Sequence, residues 1–195
     1  MVRTEIWETV MKTTILASAL TSALALGVFA VPAFAEDPMV GGAAMFETKN
    51  IIENAVNSAD HTTLVAAVKA AGLVDALSGA GPFTVFAPTN EAFAALPAGT
   101  VDTLLKPENK AMLVKVLEAH VVAGSLTTAD IMAMAKKHGG MYNMSTLLGD
   151  ALTAEVKGHS LYIIDESGHA SKVTISDVIQ SNGVIQVVDA VLVPK

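Results

Sequence analysis

The hydrophobic period of this chain changes once, after Gly139. Before that point apolar residues recur at three- and four-residue spacing; after it they alternate. Helices in one half and strands in the other predict an α+β fold with a largely antiparallel sheet, not an alternating parallel α/β one. In the first half Ile51, Ile52, Ala55 and Val56 mark a helix running on from Thr48. Leu64, Val65, Val68 and Ala71 mark a second, entered at Asp60–Thr63 and closed by Gly72. Pro107-Glu108 opens a longer helix with a predicted buried stripe of Met112, Leu113, Val116 and Leu117. Thr127 and Thr128 cap Ala129–Lys137, whose basic end at Lys136-Lys137-His138 suits the helix dipole.

In the second half Met141–Leu147, Leu152–Lys157, Leu161–Asp165 and Lys172–Ser176 read as strands. The turns between them fall at Gly158-His159 and Glu166–His169. The last strand region is Val184–Val193. Two strands fall in the first half: His120–Gly124, and Phe83–Ala87 inside the stretch GPFTVFAPTNEAFAAL (Gly81–Leu96). Pro88 ends it, having no N–H for a sheet ladder. Thr89 is placed to cap a short helix, Asn90–Leu96, with Glu91 in the first turn and Phe93 and Leu96 directed at the core. Phe83–Ala87 and the last strand have no strand neighbour in sequence, so both must join the later strands.

The N-terminus has a separate character. Ile15–Val31 is a run of seventeen uncharged residues, preceded by Met11-Lys12 and followed by Ala33-Phe34-Ala35. A basic start, an apolar core and small residues at −3 and −1 predict a secretory signal peptide over 1–35, cleaved after Ala35. A membrane anchor is the competing reading, but the run is short for a span. The natural start is expected at Met11, because Glu5 and Glu8 suit such a leader poorly. Residues 36–47, with Pro38, Gly41 and Gly42, read as a flexible linker, and 48–195 as one domain.

Composition narrows the function classes. Beyond Ala35 the chain has ten Lys against seventeen Asp and Glu, a net charge of −7. An acidic domain without a basic cluster is a poor nucleic-acid binder. The sequence has no Cys, so neither a disulfide nor a lipid-modified cysteine is available. No G-x-S-x-G elbow, nucleotide-binding glycine loop or closely spaced pair of His is present. The reading is therefore non-enzymatic, without a metal or cofactor. Asp189 and His120 stand out, each inside an apolar run, and a structural role is expected for both.

Three blocks resemble one family. GPFTVFAPTNEAFAAL resembles the first motif of fasciclin (FAS1) domains, carried here by Thr84, Phe86, Pro88, Thr89, Asn90 and Phe93. VLEAHVVAG (Val116–Gly124) resembles the central tyrosine–histidine motif, with Ala119 in the place of the tyrosine. ISDVIQSNGVIQVVDAVLVP (Ile175–Pro194) resembles the second motif, with Asn182, Gly183 and Asp189, and with Gln186 where many members have His. The resemblance spans about Thr48–Pro194. It implies a β-wedge with helices packed around it, in a secreted or surface-attached adhesion or protein-interaction module. It also marks His120, Asp177 and Val178 as candidate binding residues, the last two standing where many members have Asp-Ile. The partner expected is an unidentified protein or cell-surface component. The alternative is an apolar small molecule, carotenoid or lipid, against the methionines Met132, Met134, Met141 and Met144.

Overall fold

The computed structural model describes residues 37–194. The predicted signal peptide, its cleavage site and the Met11 start lie outside them. A two-residue pair, β1 (Met39–Val40) and β2 (Ala43–Ala44), forms a small hairpin. The main sheet has seven strands: β3 (Phe83–Pro88), β4 (Val121–Ala123), β5 (Met141–Ser145), β6 (Ala151–Lys157), β7 (Ser160–Ile164), β8 (Ala170–Gln180) and β9 (Gly183–Val188). Their order is β4-β3-β9-β8-β7-β6-β5. Only β3 and β9 run parallel; every other pair is antiparallel. The two outer strands come back together at a Val122–Thr146 bridge and a 2.8 Å bond from Leu147 N to Val121 O, so the sheet nearly closes.

Among the described residues seven α-helices accompany it: α1 (Ile51–Ala55), α2 (Thr62–Ala71), α3 (Val74–Ser78), α4 (Asn90–Ala94), α5 (Thr100–Leu104), α6 (Lys110–Glu118) and α7 (Thr128–Lys137). The first six precede β4, as the early helical period requires. Two apolar clusters result. One joins the N-terminal helices to the outer face of β3 and β9 through Val85, Ala87, Ile185 and Val187. The other fills the wedge with Phe86, Ile131, Leu152, Ile163, Val188 and Leu192. Residues of β3 thus alternate between two cores, which is why both central strands are buried on both faces rather than on one.

Four expectations need correction. Residues 36–47 are not a flexible linker over their described part. Gly41 and Gly42 turn the chain at φ 57° and 76°, and Val40 and Met45 are buried at 3% and 2% exposure. Phe46 is then tied to Asn54 in both directions, N to Oδ1 at 3.1 Å and Nδ2 to O at 2.8 Å. Met112 is not part of the buried stripe of α6 but 59% exposed; Leu113, Val116 and Leu117 carry it. The last strand stops at Val188 rather than Val193, so Asp189 is exposed just beyond it, not within it. The methionines divide: Met144 is buried, whereas Met141 and Met134 are 52% and 38% exposed. No helix among the described residues is long and apolar enough to cross a membrane.

Candidate functional site

The first motif builds a corner. Thr84, fully buried, donates from Oγ1 to Gly124 O at 2.6 Å and accepts from Leu126 N at 2.8 Å, fixing the loop after β4. Phe86 is fully buried, and Pro88 ends the pairing of β3 against Val188. Thr89 caps α4 through Oγ1, which accepts from Ala92 N at 3.3 Å, and Phe93 points into the core. Asn90 does more than occupy a first turn. Its Oδ1 accepts from Thr63 N at 3.0 Å and Thr62 Oγ1 at 3.1 Å, while Nδ2 donates to Ala59 O at 2.7 Å. Because His61 makes no capping bond to α2, Asn90 caps that helix from a different element.

The second motif ties ends together in the same way. Asn182 accepts from Ile51 N at 3.0 Å and donates to Leu77 O and Gly79 O at 2.8 and 2.9 Å, joining the start of α1 and the end of α3 to the β8–β9 turn. Gly183 has no room for a side chain: a Cβ there would overlap the Phe83 carbonyl. Asp189 accepts from Lys172 N at 2.7 Å, closing the β8–β9 end. Asp177 sits at φ 58°, a left-handed conformation rare for a residue other than glycine. Its Oδ1 accepts from Thr128 N at 2.6 Å and from Gln186 Nε2 at 2.9 Å, and its own N–H donates to Gln186 Oε1 at 3.1 Å. The bulge in β8 is therefore locked to the first turn of α7 and to a fully buried glutamine.

The three candidate binding residues do not share a surface. Val178 is completely buried and His120 is 2% exposed; only Asp177 keeps partial access. Neither buried residue can meet a macromolecular partner, which corrects the reading of both as contact residues. His120 donates from Nδ1 to Val116 O at 2.7 Å and accepts at Nε2 from Leu192 N at 2.9 Å. Both ring nitrogens are used, so the neutral form is built in, and burial lowers the pKa to about 4 against the Val116 carbonyl and Asp165. Asp165 holds the same terminal segment, accepting from Val193 N at 3.0 Å.

A cavity of about 40 Å³ lies in the outer core, on the side of the hairpin. Val40, Met45, Leu64, Val68, Val85 and Ile185 are among its walls, and His61 and Ser58 also border it. The exposed methionines border no part of it. His61 is 3% exposed, and its Nδ1 is 2.9 Å from Ser58 Oγ. Burial lowers its pKa, opposed by a hydrogen bond to the Ala87 carbonyl and by the charge of Asp60. Neither histidine nor cavity was singled out from sequence. The signal available was Ser58-x-x-His61 at a helix entry, which the capping pattern of Asp60–Thr63 masked.

A nearly closed mixed sheet, with six helices ahead of its second strand and a parallel β3–β9 pair at its centre, defines a FAS1-type fold. Residues 59–194 match the family model of the Fasciclin domain. The chain belongs to the fasciclin family. It is 48% identical over 156 residues to "Protein sll1483" of Synechocystis sp., covering 80% of this chain and 79% of that one. It is 36% identical over 145 residues to "Immunogenic protein MPB70" of Mycobacterium bovis, covering 72% and 66%. Against "Transforming growth factor-beta-induced protein ig-h3" of Sus scrofa the figures are 37% over 131 residues, 67% of this chain and 17% of that much longer one. Among solved structures, the FAS1 domain pair of the insect cell adhesion molecule Fasciclin I superposes with a TM-score of 0.67. Sequence identity there is 18%, over 74% of this chain and 50% of that one. That likeness bears on the fold.

Proposed function

We propose that this chain is an exported, non-catalytic adhesion or protein-interaction module of the cell envelope. The observation that carries the reading is the FAS1 domain matched over residues 59–194, a fold shared with the insect cell adhesion molecule Fasciclin I. The use of the motif side chains supports it. Thr84, Asn90, Asp177, Asn182 and Asp189 are engaged in bonds that hold elements together, and none of them lines the cavity. Export rests on the signal-peptide pattern of residues 1–35, with a destination in the periplasm or outside the cell. The partner is a protein or cell-surface component.

Deleting the gene and comparing cell–cell and cell–surface attachment tests the role; a reduction is expected, and unchanged attachment across growth conditions sinks it. Export has its own test. N-terminal sequencing of the envelope-extracted protein is expected to begin at Glu36, and a chain that retains Trp7 would refute both the cleavage and the Met11 start.

A further inference from the structure

We infer that the open edge of β5 is a docking site for an extended acidic segment of a partner protein. The segment adds to the sheet as a further strand, with its carboxylates beside Lys136 and Lys137. This rests on the protein-interaction reading and gives it a surface and a class of partner. Three observations lead there.

The first is a stretch of backbone without a neighbour. β5 is a terminal strand of the sheet, and it meets β4 only through the Val122–Thr146 bridge and the bond from Leu147 N. On its other side the ladder to β6 is bracketed by two bonds, Val156 N to Gly140 O at 3.2 Å and Thr146 N to Asp150 O at 2.9 Å. The register between them is unbroken. Bonded residues alternate in an antiparallel pair, so Tyr142 and Met144 bond to β6, whereas Met141 and Asn143 turn their N–H and C=O groups outward. Both outward residues are exposed, Met141 at 52%. Sheet edges ordinarily carry a charge, a proline or a bulge that deters a stray strand. Met141–Ser145, MYNMS, has none of the three. The opposite terminal strand, β4, has three residues, two of them buried, and offers no comparable edge.

The second is a seat for a side chain. A shallow groove of about 370 Å³ lies at the start of this edge, lined by His138, Met141, Tyr142 and Asn143. The His138 and Tyr142 rings stack with centroids 6.5 Å apart, and Asn143 Oδ1 accepts from Thr153 Oγ1 at 2.9 Å. The lining is thus held in place beside the unpaired backbone. An added strand gains affinity from main-chain bonds and selectivity from seats for alternate side chains, and both are present here.

The third is charge. The molecule is acidic, yet the end of α7 beside this edge presents Lys136, Lys137 and His138 in a row, all exposed. Neither lysine makes a salt bridge among the described residues. Glu155, opposite Met141 on β6, is already paired with Lys157 at 2.8 Å. The helix dipole offsets only about half a charge. Uncommitted positive charge therefore flanks the edge and selects an acidic strand. A second copy pairing through its own β5 would bring no carboxylate to meet it.

The test follows the amide resonances of the full-length chain by NMR against three short capped peptides. One alternates Glu and Val, one alternates Lys and Val, and the third is the Glu-Val peptide N-methylated at every second residue. The Glu-Val peptide is expected to shift the amides of Met141 and Asn143 and protect them from hydrogen exchange, with Tyr142 and Met144 little changed. The Lys-Val and N-methylated peptides should leave all four as they are. Lys136→Glu with Lys137→Glu, both at exposed positions, should weaken the Glu-Val peptide about tenfold. The proposal is overturned if the Glu-Val peptide leaves Met141 and Asn143 unprotected, or if the Lys-Val peptide binds as well. Equal binding of the N-methylated peptide overturns it too, since charge alone would then suffice. So does the same protection on raising the protein concentration without peptide, which would give the edge to a second copy. Failure here leaves the attachment assay to decide adhesion through another surface, and unchanged attachment leaves the peptide result standing.

Discussion

At the scale of single residues, the polar side chains of this domain serve as clamps. Asn90→Ala removes three bonds that hold the entrance of α2 to α4, whereas Thr89→Ala removes one long capping bond. Thr89→Ala should cost ~1 kcal/mol. Asn90→Ala should cost more, about 2 kcal/mol, because it leaves backbone groups of a second helix unpaired. Urea denaturation of both variants checks the order; an Asn90→Ala chain as stable as Thr89→Ala contradicts the cross-element cap. His120 gives a pH prediction with a definite sign. Its folded pKa of about 4 lies below the ordinary histidine value of 6.5, so the folded state resists the proton. Its contribution is complete above pH ~6.5 and is lost as pH falls toward 4, in total about 3 kcal/mol. Stability measured across that window should decline in the native chain, and His120→Gln should flatten the decline. The Thr89 cap and the burial of Phe93 were legible in sequence because their partners lie within a few residues. The partners of Asn90 and Asn182 were not, since each amide reaches elements 27 to 131 residues away.

At the scale of elements, β9 meets β3 at Gly183 with no room for a side chain. Gly183→Ala would push a methyl into the Phe83 carbonyl, and a strand backbone cannot swing aside. The expected loss is on the order of 3 to 5 kcal/mol, read from the denaturation midpoint. The N-terminal hairpin allows an equally plain test. Met45→Ala should cost about 2 to 5 kcal/mol if the hairpin is part of the core. A change near zero would restore the linker reading. That reading failed for an identifiable reason: glycine, proline and small residues mark a tight turn as readily as a mobile one, and two-residue strands are too short for an alternating pattern. The helices of the first half and the hairpins β5 to β8 showed their periods directly. The pairing of β3 with β9 could be inferred only as a need for neighbours, because no local pattern names a partner across a hundred residues. The cavity at His61 was equally hidden, being lined from the hairpin, from α1, α2, α3 and α6 and from β3, β4, β8 and β9, which meet only in three dimensions.

At the scale of the whole molecule, the two apolar clusters share β3 and β9, so neither can melt alone. Thermal unfolding should show one transition. Far-UV circular dichroism, dominated by the helices of the first half, should coincide with the near-UV signal of Tyr142 and Tyr162 on the strands of the second; separated midpoints would contradict a shared core. The position of β9 has a further consequence. It lies between β3 and β8, and it is synthesised after every other strand of the sheet. Until it emerges, β3 has only the short β4 beside it, and the meander β5 to β8 meets the other strands of the sheet only along the β4–β5 edge at Val122 and Thr146. A ribosome-bound chain is thus held short of its native state until the final segment appears, and closure then depends on contacts of long sequence separation, which form slowly. On the proposed export route, that delay would keep the chain competent for passage through a membrane.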